Sequence, residues 1–572
     1  MLDESEKNDA LEAEDKYKTA VESANDYIEN FDILETITNV GNDEVFTPRK
    51  TCDMILDSLP EEVWHNPNYK WLNPATKNGI FEREIAIRLD DGLKDIIPDT
   101  EQRRKHILQN MIYSIGQTRF TANVARRTVY YCSQANRKCD GIKADDGHYV
   151  NGYAIGNGSW FDDEEGNIKT PNINHTFVDN KGETMPSSCS DDKEKEKYRC
   201  KYCGINGASA YNDANQRETY AYEFIHFNGD ELLKHLQDRF FGGNRNMKFD
   251  IIIGNPPYQL STNQGGTQAT PIYQIFVKQA VNLKPRYISM IIPSKWFAGG
   301  MSTLEELRTY MMSCHKIKSM TDFSNAKECF PTNSVGGGVC YFLWERDYSG
   351  PCTFTNVING KAQTENRELN EFPVLVRLNK AVSILKKIRA LSEENMVNAG
   401  SPLMPFGLPS DVRGEKCQSE ENPVKLHASN GITFISKSQI KKGQDLLDKY
   451  KVLVGILGAE HALEPDKDGK FRIITSSLKV IGPQEACTHS YFTIGKFENL
   501  EEAQNLYNYL KTKFARFLIL LAMTSTHLSR NVLLFLPRQN FNSAWTDQKL
   551  YKKYGFTSDE INLIEETIKE MK

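Results

Sequence analysis

No stretch of this chain stays apolar long enough to cross a bilayer. The richest run, FARFLILLAM (residues 514–523), is about half the roughly 20 residues a spanning helix needs, and lysines precede it. The opening MLDESEKNDALEAEDKYK is acidic and has no apolar core, so a secretory signal is not expected and a reducing, cytoplasmic setting is. Twelve cysteines in 572 residues are too few for a disulfide scaffold. A basic excess is missing too. The formal net charge of −6 excludes a protein that coats nucleic acid through overall charge, but it leaves room for a local basic groove. There are no internal repeats. What remains is a globular composition, 39% hydrophobic and 26% charged, in a chain long enough for about two to four domains.

Strand and helix patterns alternate through much of the chain. EVFTPRKTCDMILDSLP reads as a tight turn entering a helix. YKWLNPATKNGIFEREIAIRLDDGLK reads as a short strand, a turn and an amphipathic helix. A second strand falls near Ile112 to Ile115, followed by another helix. From about Cys132 to Asn215 the texture turns Gly-, Asn-, Asp- and Ser-rich, as in an insertion between sheet elements. Strand patterns resume at AYEFIHF, FDIIIGNPPY, RYISMIIPSKWF and GGVCYFLWE. This alternation argues for a doubly wound α/β sheet. After about Asp347 the pattern becomes mixed α+β. Capping boxes at Ser302 with Glu305 and at Thr557 with Glu560 mark two helix starts.

One stretch carries chemistry. In KFDIIIGNPPYQLS, starting at Lys248, three isoleucines run into Gly-Asn-Pro-Pro-Tyr. Proline donates no backbone hydrogen bond, so pairing must stop there, and ligands bind beyond the carboxyl ends of such central parallel strands. Asn255 and the Pro256 carbonyl offer two fixed acceptors. Adenine's N6 amine is a poor nucleophile because its lone pair is delocalised. Acceptors on both N6 hydrogens favour a more tetrahedral, electron-rich nitrogen, and Tyr258 can stack on the base. Beside the methyl of S-adenosylmethionine, positioning and electrostatics then supply most of the catalysis. The bland alternative is a strand-ending turn.

The order of these motifs resembles that of the gamma class of adenine-N6 DNA methyltransferases of restriction–modification systems. The resemblance rests on Phe46-Thr47-Pro48, then Asn73-Pro74-Ala75 through Gly79, then Asn255-Pro256-Pro257-Tyr258, then a C-terminal region. It covers residues 40–345 well and the remainder loosely. It implies a Rossmann-like, S-adenosylmethionine-dependent methyltransferase domain followed by an α+β DNA-recognition domain. The implied layout is an N-terminal helical arm (1–40), the methyltransferase domain (41–347) with an insertion (131–215), a connector (348–398) and a target-recognition domain (399–572). Phe46, Thr47, Pro48, Asn73, Pro74, Ala75, Gly79 and Gln117 would hold the cofactor. Phe330, in ECFPTNSVGGG, would stack on the extruded base, unless it is ordinary core. Two departures stand out: Asn73 replaces the family's usual acid, and SIGQTRF offers Gln117, Thr118 and Arg119 where a ribose-binding carboxylate usually ends the second strand.

Within the insertion, YRCKYCG gives Cys200 and Cys203 the spacing of a zinc knuckle. Cys132 is a third expected ligand, and Cys139 or His175 the fourth. The resemblance favours His175, and a structural zinc ion would staple a polar segment too poor in apolar residues to hold itself together. Between Lys511 and Arg538 there are five Lys or Arg and no acid. Lys511, Lys513, Arg516, Arg530 and Arg538, with His527, are therefore the expected phosphate contacts on double-stranded DNA, unless they form an ordinary solvated helix face. No membrane partner is expected. A separate restriction endonuclease is implied by resemblance alone, since PDTEQRRK lacks the spacing of acids that a nuclease core needs. Two other readings compete: a DNA-binding specificity component that has lost the cofactor, and a protein glutamine methyltransferase, whose members are much shorter.

Overall fold

The computed structural model describes residues 45–131, 133–134, 153–154, 160–208, 222–260, 270–298, 302–333, 335–456, 465–474, 478–523 and 528–571. The expected N-terminal arm, Cys132, Cys139 and His527 lie outside them. The chain divides into two compact units, Met1–Ile291 with Leu343–Arg346, and Ile292–Phe342 with Asp347–Lys572.

The first unit is built on parallel strands, as the alternation predicts. They are β1 (Trp71–Thr76), β2 (Ile112–Gly116), β3 (Ile168–Lys169), β4 (Ile251–Gly254) and β5 (Tyr287–Pro293), in the order β5–β4–β1–β2–β3. Every residue of β1, β2, β4 and β5 is buried, the continuous apolar signature of strands covered on both faces. The chain starts at β1, moves outward to β2 and β3, then returns on the other side of β1 to β4. The order therefore reverses between β1 and β4, and the crevice beyond their carboxyl ends is the natural ligand position. Helix α1 (Arg49–Leu56) precedes β1, and α2 (Ile80–Gly92), α3 (Thr100–Asn110), α4 (Arg119–Arg126), α5 (Gly229–Phe241) and α6 (Tyr273–Asn282) lie between successive strands.

Two sequence expectations are corrected here. The polar stretch from 132 to 215 is not all insertion. Ile168 is buried and pairs beside Ser114, so two residues of an otherwise polar stretch extend the sheet. AYEFIHF forms a 3₁₀ turn at Glu223–Ile225, not a strand. The Glu223 side chain points into a polar network that a strand register would break. Its carboxylate takes hydrogen bonds from His235 (2.6 Å), Arg239 (3.1 Å) and the Asn172 amide (3.2 Å). Burial pushes this carboxyl up, and those partners more than reverse the push, leaving it below its ordinary value.

In the second unit, Ile317–Phe323 pairs in parallel with Cys352–Ile358, which forms a hairpin with Lys361–Arg367. Two three-stranded sheets and a helical core follow, matching the mixed texture read from the sequence. The apolar run of 514–523 forms α7 (Lys513–Ala522), capped by Thr512 and surrounded by other apolar side chains of the C-terminal core. Among the described residues no helix is long and apolar enough to cross a membrane. The capping box of Thr557 with Glu560 forms as expected, with Thr557 N–H donating to Glu560 at 2.8 Å.

Candidate active site

The crevice between β1 and β4 gathers most of the expected cofactor and catalytic residues in the first unit. Pro74 sits inside β1, where it cannot donate to the sheet, and the register with β2 slips between Asn73 and Thr76. The Asn73 side chain compensates: its Oδ1 accepts the Ala75 N–H at 3.1 Å. Gly254, at the end of β4, passes so close to Asn73 that an added Cβ would lie 2.5 Å from its Oδ1. Only glycine allows this approach. Gly79 caps α2 with φ +79, and a Cβ there would strike the Ala125 backbone at 2.9 Å. The turn into α2 thus lies tight against α4. Gln117 is buried at the end of β2, and its N–H donates to the Thr76 carbonyl at 3.0 Å.

The segment at Phe46, Thr47 and Pro48 lies against the Asn-Pro-Pro-Tyr strand end. The Asn255 amide nitrogen donates to the Thr47 hydroxyl (3.1 Å) and to the Val45 carbonyl (3.3 Å), which also accepts from Lys77 (2.9 Å). A carbonyl can only accept, so the amide NH2 must face Val45 and the side-chain oxygen must face away. That oxygen is buried and has no partner among the described residues. A buried acceptor without a donor costs about 1–3 kcal/mol, and such groups mark functional positions. Pro256 and Pro257 are buried, and Tyr258 is half-buried.

The structure adds Glu82, which sequence reasoning missed. It lies in the first turn of α2, fully buried, and its Oε1 accepts from Asn73 Nδ2 (2.9 Å) and from the Ser114 hydroxyl (2.6 Å). The acid absent at position 73 is thus present nine residues later, against the same side chain. The available signal was an acid inside the otherwise apolar start IFE of α2. Burial raises the Glu82 pKa, opposed by hydrogen bonds from Ser114 and Asn73. Thr47, Asn73, Thr76, Asn78, Gly79, Glu82 and Asn255 line a common cleft. These groups fit S-adenosylmethionine: a carboxylate near its positive charges, a helix N-terminus for its carboxylate, and an orphaned acceptor beside it.

The Eco57I restriction-modification methylase family model matches residues 110–330. An uncharacterized adenine-specific methylase of Mycoplasma pneumoniae is 44% identical over 341 residues, which are 59% of this chain and 75% of that one. The chain belongs to the adenine-specific restriction–modification methylases. Among solved structures, the type IIL restriction-modification enzyme MmeI in complex with DNA is similar to this methylase over 84% of the chain and 65% of its own length, at 11% identity and a TM-score of 0.42. A nuclease-deletion mutant of the type ISP enzyme LlaGI with a DNA substrate mimic covers 83% and 44%, at 11% identity and a TM-score of 0.41.

The remaining expected site residues fare differently. Phe330 is buried in the second unit at 1% exposure, so it presents no open ring surface here. Arg516 is no phosphate contact. It is buried, its guanidinium donates to the Lys511, Thr512 and Lys569 carbonyls, and burial lowers its pKa. Lys513 pairs with Glu565 at 2.5 Å. The acid-free stretch meets acids from elsewhere in the chain, which a local charge count cannot see. Lys511 is half-buried over the Tyr507 ring. Arg530 and Arg538 remain exposed on a cavity of about 970 Å³ shared with Lys442 and Lys496, and Arg538 makes only a surface pair with Glu394 at 3.2 Å.

In the insertion, a hairpin of Phe177–Val178 with Arg199–Cys200 carries the Cys200–Cys203 turn. Of the four expected metal ligands the structure brings three together, His175, Cys200 and Cys203. His226 joins them as a fourth donor, and Cys132 lies outside the described residues. His226 follows the 3₁₀ turn that the sequence reading took for a strand, which is why it was missed. Hydrogen bonds from Cys203, His175 and His226 hold the Cys200 thiol well below its ordinary value.

Proposed function

We propose that this chain is a gamma-class enzyme that transfers a methyl group from S-adenosylmethionine to N6 of an adenine extruded from double-stranded DNA, within a restriction–modification system. The cofactor supplies a methyl group on a positively charged sulfur. The residues of the chain do the rest by position. Asn255 Oδ1 and the Pro256 carbonyl accept the two N6 hydrogens and orient the nitrogen lone pair. Tyr258 stacks on the base. Val45 and Thr47 keep the Asn255 oxygen turned outward, so no reorganisation accompanies the reaction. Asn73, Glu82 and the Thr76–Gly79 turn hold the cofactor, with Gln117 at the rim of the second strand. Arg530 and Arg538 contact phosphate, and residues 399–572 read the site. Base extrusion costs about a few kcal/mol, which those contacts offset.

The observation that carries this reading is the buried, unpartnered Asn255 oxygen behind the Pro-Pro turn. The competing reading, a specificity component without cofactor binding, rests on the acids missing at Asn73 and at Arg119, and Glu82 weakens the first of these grounds. The test is long-read modification mapping of DNA incubated with the purified chain and S-adenosylmethionine. N6-methyladenine at one recurring sequence is expected, and Asn255→Ala should lower the rate by about 10²-fold or more while cofactor affinity stays within about threefold. Methylation near the wild-type rate in that variant refutes the assigned role. No modification by a folded, cofactor-binding wild-type chain refutes the activity.

A further inference from the structure

The insertion carries chemistry that the methyl-transfer reading does not use. Four donor atoms, His175 Nδ1, Cys200 Sγ, Cys203 Sγ and His226 Nε2, lie within 4.8 Å of one another. The two nitrogens are 3.2 Å apart, Cys200 Sγ is 3.4 Å from His226 Nε2, and Cys203 Sγ is 3.6 Å from His175 Nδ1. Zinc bonds of about 2.0–2.1 Å to nitrogen and about 2.3 Å to sulfur, arranged tetrahedrally, imply edges of roughly 3.3 Å between nitrogens and roughly 3.5 Å between nitrogen and sulfur. All three observed edges agree.

The surroundings point the same way. His226 Nδ1 bonds the Tyr222 carbonyl at 2.7 Å. A carbonyl accepts, so that nitrogen carries the proton and Nε2 presents its lone pair to the cluster, the usual arrangement behind a metal-bound histidine. Gly204, directly after Cys203, has φ +76 and donates its N–H to the Cys200 carbonyl at 2.9 Å, closing the turn that brings both sulfurs to one side. Cys200, Cys203 and His226 are buried, at 3–4% exposure. A hydrogen-bonded cluster without an ion is the weaker account: thiol-to-nitrogen bonds give no reason for the two ring nitrogens also to meet edge to edge at 3.2 Å, at the spacing of a shared tetrahedron.

We propose that His175, Cys200, Cys203 and His226 bind one zinc ion in a closed structural site that fastens the insertion to the turn leading into α5. Four protein ligands leave no open position for water, so the site holds the fold and performs no hydrolysis. The ligands come from three places: the segment before Phe177, the Cys200–Cys203 turn, and the end of Glu223–Ile225. The ion thus ties the 170–206 region to the segment that runs through α5 into β4. Glu223 makes a second tie nearby through the Asn172 amide. The insertion is polar, so these two ties add to the sheet pairing at Ile168 and the Arg239 bond to the Thr170 carbonyl in holding it.

The test is the metal content of the full chain purified without added metal, with no DNA or methyl donor involved. One zinc per chain is expected. His226→Ala and Cys200→Ser should each lower zinc occupancy by about tenfold or more after dialysis against a chelator, and Cys132→Ser should keep it. His226→Cys, which retains four ligands, should keep the metal and strengthen the thiolate-to-metal absorption of the cobalt-substituted chain. Cobalt in the wild-type chain should give the intense visible bands of tetrahedral coordination. A folded wild-type chain that lacks zinc and takes up no cobalt overturns the proposal. Loss of zinc in Cys132→Ser with full retention in His226→Ala overturns the ligand set.

Discussion

The pairing of Asn73 with Glu82 makes a demanding prediction. In the wild-type chain, Glu82 Oε1 accepts from Asn73 Nδ2 at 2.9 Å and from Ser114 Oγ at 2.6 Å, all fully or nearly buried. Hydrogen bonds to a carboxylate contribute about 1.5–3 kcal/mol, neutral ones about 1 kcal/mol. Glu82→Gln keeps the shape and both bonds but drops the charge, so the fold survives and S-adenosylmethionine binding weakens by about 1.4–3 kcal/mol, roughly ten- to a hundredfold. Asn73→Asp places a second carboxyl against the first in a buried site, and like charges there repel strongly. It too weakens binding. The double variant Asn73→Asp with Glu82→Gln exchanges acid and amide across the same contact. It restores one charge and one set of hydrogen bonds, so affinity should return to within about threefold of wild type. The cycle then yields a coupling energy on the order of 2 kcal/mol or more. Titration calorimetry measures the affinities, and urea denaturation confirms that each variant is folded. Additive losses in the double variant, or wild-type affinity in Glu82→Gln, would refute the assignment of Glu82 as the carboxylate that Asn73 lacks.

Three further outcomes follow from the second unit. Burial lowers the Lys451 pKa from 10.5 to about 8, and its ammonium donates to the Lys449 and Gly482 carbonyls at 2.9 and 3.0 Å. A depressed folded value means the unfolded chain holds the proton longer, so stability rises between about pH 8 and 10.5 and is lost as pH falls through 8. Urea melts across that range should show the rise, and Lys451→Met should flatten it by on the order of 3 kcal/mol at most. Arg516→Ala should lower stability by about 2–4 kcal/mol, because the Lys511 and Lys569 carbonyls lose their guanidinium donor and a buried side chain is removed, while the salt dependence of DNA binding stays unchanged. Arg538→Ala should do the reverse: unchanged melting, with the slope of log affinity against log salt smaller by about one in a binding titration. A changed salt slope in Arg516→Ala would contradict the placement of that side chain.

The sequence alone determined what depends on neighbours along the chain. Three isoleucines before Gly-Asn-Pro-Pro-Tyr specify a buried strand that must stop, because apolar runs bury and proline cannot pair. The same local logic located Trp71–Thr76, Ile112–Gly116 and the capped helix at Thr557. The motif order brought Thr47, Asn73, Gly79 and Asn255 together on paper, and they line one cleft. Tertiary structure decided what depends on partners distant in sequence. Glu82 stands against Asn73 because the turn of α2 folds back on β1, a contact that no local pattern displays. His226 reaches the cysteines from a turn that alternating apolar residues disguise as a strand. Arg516 leaves the basic face because it turns onto the carbonyls of Lys511, Thr512 and the distant Lys569, and Lys513 likewise meets the distant Glu565. Charge and ligation are settled by what packs within a few ångströms, and in a long chain most of those neighbours come from elsewhere in the sequence.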